Sequence, residues 1–137
     1  MASPAARPLQ DQKALVTGGS SGIGAASARA LAQAGAAVGV NYCSKASAAD
    51  ELVREIRDQG GEAVALKADI SRDDEVRTMF DRLVEAFGRI DILVANAGIQ
   101  KDSAITDMSL EDWRAVLDIN LTGQFLCVRE AIRRFLA

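Results

Sequence analysis

The segment Thr17-Gly18-Gly19-Ser20-Ser21-Gly22-Ile23-Gly24 constrains this chain more than any other. It joins the apolar run Ala14–Val16 to a stretch of helical period, Ile23–Ala34. Glycine at 18, 22 and 24 permits a tight turn, brings backbone amides close to an anion, and lets a helix pack near the strand before it. Strand, glycine turn and helix in that order make a βα unit whose helix N-terminus faces a phosphate group. No Gly-Lys pair follows, which disfavours a P-loop.

From Lys13 onward short apolar runs alternate with longer helical segments, the signature of βαβ units building a parallel sheet. Strands are expected at Ala14–Val16, Ala37–Tyr42, Ala63–Ala68 and Ile90–Ala95. Helices are expected at Ile23–Ala34, at Ser47–Gln59, from Ser71 to Phe87, and from Ser109 nearly to the C-terminus. Gly35, Gly60-Gly61 and Gly88 stop the first three. Ser47 with Asp50, Ser71 with Asp74 and Ser109 with Asp112 have capping-box spacing, an acid standing in for Glu. The last helix repeats Trp113, Val116, Leu117, Leu121, Phe125, Val128, Ile132 and Phe135 at intervals of three to four, interrupted near Asn120-Leu121-Thr122-Gly123. The expected architecture is α/β: a Rossmann-type, doubly wound parallel sheet, truncated after four strands in the order 3-2-1-4, with helices on both faces. Residues 1–10 read as a flexible tail and residues 11–137 as one dinucleotide-binding domain.

Composition narrows the chemistry. The formal net charge is −3 with no run of basic residues, which argues against a nucleic-acid groove or an anionic membrane surface as partner. Histidine is absent, so imidazole bases, Ser-His-Asp triads and the commonest metal ligand are missing, and no metal site is expected. Cys43 and Cys127 lie far apart without a CxxC motif and read as plain thiols in a reducing cytosol. No run approaches the ~18 apolar residues of a membrane span, and Met1–Gln10 lacks the apolar stretch of a secretory signal. The expectation is a cytoplasmic chain with a small-molecule partner.

Further motifs follow the strand ends. An Asp at the end of the third strand, in Asp69-Ile70, can accept a hydrogen bond from an adenine amino group; its structural alternative is a loop or capping Asp, since Ser71 opens a helix just afterwards. In Asn96-Ala97-Gly98, after the fourth strand, Asn96 offers a donor and an acceptor, and Gly98 lets the backbone lie against a flat ring. With Asn120, these motifs resemble the short-chain dehydrogenase/reductase family, whose signature TGxxxGxG follows the first strand. The resemblance covers about residues 12–136. It implies cofactor contacts at Thr17, Gly18, Ser20, Ser21, Gly22, Ile23, Gly24, Asp69, Ile70, Asn96, Ala97 and Gly98, and identifies Asn120 with the helix asparagine of the catalytic tetrad. Asn41-Tyr42-Cys43-Ser44-Lys45, Gly60-Gly61-Glu62-Ala63 and the segment from Met108 to Trp113 look most like bacterial glucose 1-dehydrogenases, with 3-oxoacyl-carrier-protein reductases close behind. The implied activity is hydride transfer between nicotinamide and a sugar or a small alcohol or ketone, in a homo-oligomer.

A carboxylate about twenty residues past the glycines binds the ribose diol of NAD. This chain has Asn41 there, and Ser44 and Lys45 can donate to a 2′-phosphate, so NADP is expected with NAD also accepted. The family's proton carrier is a Tyr with a Lys four residues later. Tyr42 is the only tyrosine and position 46 is Ala, so the pair is absent. The expected account is the cofactor-binding half of a dehydrogenase, inactive alone, that self-associates or docks to a complementing C-terminal segment. A non-catalytic dinucleotide-binding or interaction module is the alternative.

Overall fold

Four parallel strands form one sheet in the order β3-β2-β1-β4: β1 is Lys13–Val16, β2 Ala37–Tyr42, β3 Ala63–Lys67 and β4 Ile92–Val94. The computed structural model describes residues 6–137. Leu15 stands opposite Gly39 on one side and Leu93 on the other, so β1 is central. Its apolar run is explained by burial on both faces: Ala14, Leu15 and Val16 are fully enclosed. The fold class and strand order are those read from the sequence.

Helices α1 (Gly22–Gln33) and α2 (Ala46–Asp58) cover one face, where Val16, Val38 and Val40 meet Ala25, Ala28, Leu52, Val53 and Ile56. On the other face α3 (Asp73–Phe87) brings Val76, Met79, Phe80 and Leu83 against Leu15 and Leu66. Each such buried side chain contributes roughly 1.5–3 kcal/mol. Gly39 makes this second layer possible, because a Cβ there would collide with Leu83 Cδ1. Helix α4 (Leu110–Leu117) runs through a π-helical segment, Asp118–Gly123, into α5 (Gln124–Phe135). The π segment falls where the apolar pattern breaks. Leu126, Cys127 and Ala131 of α5 join the α3 layer, while Leu121 and Phe125 remain exposed. Among the described residues no helix is long and apolar enough to cross a membrane.

Several local expectations need correction. Ser109 caps α4 as its spacing predicts, Oγ accepting from Asp112 N–H at 3.0 Å. The other two boxes do not form: α2 begins after Lys45 and α3 after Arg72, neither with a side-chain cap. Ser71 Oγ donates instead to Asp69 Oδ1 at 2.7 Å. Three acids in the first turn of α3, Asp73, Asp74 and Glu75, complement its N-terminus by charge, so a hydroxyl cap is not needed. β4 is shorter than the expected Ile90–Ala95, and its side chains are half-buried because it pairs only with β1. Of the expected tail, residues 1–5 lie outside the described residues. Leu9 packs against the α1–α2 core and donates its N–H to Ala34 O, so this part of the tail is pinned to the domain.

Candidate functional site

The glycine turn is locked from behind. Thr17 leaves β1 fully buried, and its Oγ1 accepts from Asn96 N–H at 3.0 Å and Ala97 N–H at 3.1 Å. Asn96 Nδ2 donates in return to Thr17 O at 3.1 Å and Gly18 O at 3.2 Å. Gly18 (φ 60°) and Gly22 (φ 53°) take the left-handed conformation that glycine accepts without strain. A Cβ on Gly18 would stand 2.8 Å from Ala97 Cα, and one on Gly24 would collide with Gly18 O. Gly22 has open space beside it.

The front of the turn is a set of backbone donors. Ser21 precedes α1 in an extended conformation and makes no side-chain cap. The first N–H groups of α1 therefore face outward uncapped, with Ser21, Gly22 and Ile23 exposed, Ile23 at 79%. Uncapped amides, a positive helix end and a turn without side-chain bulk are the donor set that a diphosphate requires, so these residues fit a dinucleotide.

Asn41 has a different place from the one its spacing suggested. It is buried, its Oδ1 accepting from Gly18 N–H at 3.0 Å and its Nδ2 donating to Leu66 O and Ala68 O, each at 3.2 Å. Its amide is thus consumed by the protein, tying the glycine turn to the end of β3. A count of about twenty residues is ambiguous by one, and one residue along a strand reverses the direction of the side chain. The exposed residues beyond β2 are Cys43, Ser44 and Lys45. Thr17 and Asn96 likewise point into the protein and act on the turn from inside.

Asp69 is half-buried at the end of β3. Its Oδ1 accepts from Ser71 N–H at 3.0 Å and from Ser71 Oγ–H, and its own N–H donates to Glu75 Oε1 at 3.2 Å. Loop geometry thus accounts for one carboxylate oxygen. Cys43 lies close enough to feel this charge: burial pushes its thiol up, and Asp69 and Glu75 push it further. Ile70 is buried, and a Cβ on Gly123 would stand 2.7 Å from Ile70 Cδ1, so glycine in the π segment admits the β3 loop.

Asn120, in the π segment, reaches the strand-end loop. Its Oδ1 accepts from Ile99 N–H and its Nδ2 donates to Ile99 O, both at 2.8 Å, with Gly98 beside it. The glycine turn, Asn96–Gly98 and Asn120 therefore form one continuous region at the carboxyl ends of β1 and β4. Gln124 belongs to it too, donating from Nε2 to Ala97 O at 2.8 Å. Sequence reasoning missed Gln124, whose single amide carries no pattern.

Comparison with known proteins agrees with this geometry. The chain matches the family described as short chain dehydrogenase over residues 12–137. It is 51% identical over 121 residues to a 3-oxoacyl-[acyl-carrier-protein] reductase of Synechocystis sp., covering 88% of this chain and 49% of that protein. It is 44% identical over 128 residues to 3beta-hydroxysteroid dehydrogenase 1 of Eggerthella lenta, covering 93% and 49%. Among solved structures, a short chain dehydrogenase from Burkholderia cenocepacia in complex with NADP superposes with a TM-score of 0.90 at 42% identity, covering 93% of this chain and 52% of that one. The chain belongs to the short-chain dehydrogenase family. It spans about half the length of the curated relatives it matches.

Proposed function

We propose that these residues form the dinucleotide-binding part of an NADP-dependent oxidoreductase that moves a hydride between nicotinamide and a carbonyl or carbinol carbon. The uncapped N-terminus of α1, behind a turn locked by Thr17, Asn96 and Asn41, carries this reading. It stands beside the β1–β4 switch point of a doubly wound sheet, where such folds take their ligands. The nicotinamide supplies the hydride chemistry when bound. The chain's own residues do the holding: amides from Ser20 to Gly24 take the diphosphate, Asp69 takes the adenine amino group, and Ala97–Gly98 present flat backbone to the ring. Ile70 orients the loop at the adenine end.

No acid stands among Asn41–Lys45, and Ser44 and Lys45 are exposed, so a 2′-phosphate meets donors there and no carboxylate. A relative solved in complex with NADP supports a nicotinamide dinucleotide as ligand, and these donors make NADP our choice, with NAD also accepted. The names of the two curated relatives share a ketone and secondary-alcohol pair, and a sugar or small alcohol or ketone is the substrate class we assign. Asn120 holds the strand-end loop rather than a proton. Tyr42, the only tyrosine, lies half-buried in β2, so this chain is expected to bind without turnover. A positioned general acid–base contributes roughly 10²- to 10⁴-fold to rate.

The exposed face of α4–α5, with Leu121, Phe125 and Val128, is assigned to a second copy of the chain, and the two thiols suit a reducing cytoplasm. Calorimetric titration with NADP and NAD tests the central reading: saturable heat with NADP tighter is expected, and no heat with either removes it. Light scattering on dilution tests the assembly.

A further inference from the structure

Ala97 is held from two sides. Its N–H donates to Thr17 Oγ1 at 3.1 Å, and its carbonyl accepts from Gln124 Nε2 at 2.8 Å. Between these bonds lies the backbone on which Gly18 rests. Gln124 opens α5 four residues beyond Asn120, so both amides leave one side of the helix toward Ala97–Ile99. Asn120 takes both polar groups of Ile99, Gln124 takes the Ala97 carbonyl, and Gly98 lies between them.

Gln124 is the less expected of the two. Its Oε1 is buried and has no hydrogen-bond partner among the described residues. An aliphatic side chain would fill the place without that burden, so the value of the residue lies in its NH₂. Its orientation is fixed, since turning the amide over would set two oxygens face to face.

We propose that Gln124 is a positioning residue for the nicotinamide end of the site, its amide holding the Ala97–Gly98 backbone where the second mononucleotide lies. This rests on the dinucleotide reading above. In a doubly wound sheet the two mononucleotides lie on either side of the switch point, adenosine over β2 and β3 and the other over β4. Ala97 and Gly98 follow β4, whereas Ser44 and Asp69 follow β2 and β3.

The test compares NADP, which spans both ends, with 2′,5′-ADP, which has only the adenosine end, by calorimetry on the full chain and two variants. Gln124→Leu is expected to weaken NADP about tenfold and 2′,5′-ADP less than about twofold. Gln124→Glu should match that loss at about pH 7.5, where a carboxylate faces the Ala97 carbonyl, and recover toward wild type at about pH 5, where the protonated acid again donates. A merely structural residue would move both ligands together, at either pH. Without ligand, amide exchange at Ala97 and Ile99 should quicken in Gln124→Leu. If that variant fails to fold, Gln124→Glu at the two pH values decides. Equal loss for both ligands, or no loss, overturns this proposal alone. A wild-type chain that binds neither ligand overturns the dinucleotide reading and this one with it.

Discussion

Thr17 and Asn96 grip each other in both directions across the seam between β1 and β4, the hydroxyl of one accepting from the other's N–H and the amide of the second donating to the first's carbonyl. Thr17→Val keeps the shape and removes the hydroxyl, leaving the Asn96 and Ala97 N–H groups unmet. Unmet buried donors cost roughly 1–3 kcal/mol each, so the variant should lose about 2–4 kcal/mol in urea unfolding. Dinucleotide affinity should fall with it.

Asn41→Asp is the substitution a sequence count would choose to convert NADP preference to NAD. In this fold it places carboxylate oxygens against Leu66 O and Ala68 O, which now receive Nδ2 at 3.2 Å. The expected outcome is a loss of roughly 2–4 kcal/mol in stability with no gain in NAD affinity. A stable Asn41→Asp protein that prefers NAD would contradict the bonding described here.

Glycines 22 and 24 should respond differently to a methyl group. Gly24→Ala sets a Cβ 2.6 Å from Asn96 Nδ2 and into Gly18 O, so the chain should fail to fold, as read by circular dichroism. Gly22→Ala meets no neighbour but must hold φ at 53°, a cost of about 1 kcal/mol. That variant should fold and yet bind dinucleotide at least about tenfold more weakly, because the methyl group stands where the diphosphate approaches.

Acid should loosen the contact between α3 and α5. Burial works against charge on Asp73, but hydrogen bonds from Arg77 at 2.9 Å and Arg129 at 2.7 Å outweigh it and hold the carboxyl below its usual range. A carboxyl lowered by folding stabilises above its unfolded pKa of about 3.9 and loses that contribution as pH falls through the folded value. Urea midpoints measured from neutral pH downward should therefore drop below about pH 4, and Asp73→Asn should flatten that limb. Solvent exposure keeps the effect small.

The two cysteines should be distinguishable by reagent. Cys127 is enclosed, and burial pushes its thiol up to about 12, whereas Cys43 is exposed beyond β2. A thiol reagent at about pH 8 should label Cys43 in the folded chain and both residues in denaturant. Saturating NADP should slow the labelling of Cys43 if the adenosine end lies beside it.

The alternation of apolar runs and helical periods made the sheet legible, because parallel strands buried on both faces have few alternatives. The glycine turn was legible for a related reason: positive φ and close approach leave little choice but glycine. Three things were not. The capping spacings at Ser47 and Ser71 matched the pattern, but Ser71 turns its hydroxyl to Asp69 while first-turn acids serve α3 by charge, and Ser47 falls inside α2, which begins at Ala46 without a side-chain cap. Asn41 was placed at the right distance with the wrong direction, since spacing carries no information on where a strand-end side chain points. Gln124 gave no signal at all, because its meaning depends on a carbonyl 27 residues away in sequence.

The unbroken run from α4 through the π segment to α5 leaves Trp113 52% exposed on the same stripe as Leu121 and Phe125. As the chain's single tryptophan, it makes this protein its own optical gauge. Emission from an indole half in water lies toward long wavelengths, and any body settling on that helical stripe would shift the colour toward blue. The same indole borders a hollow with Ile99 and Asn120, so one fluorophore supplied by nature watches both the flank and the loop at the mouth of the crevice.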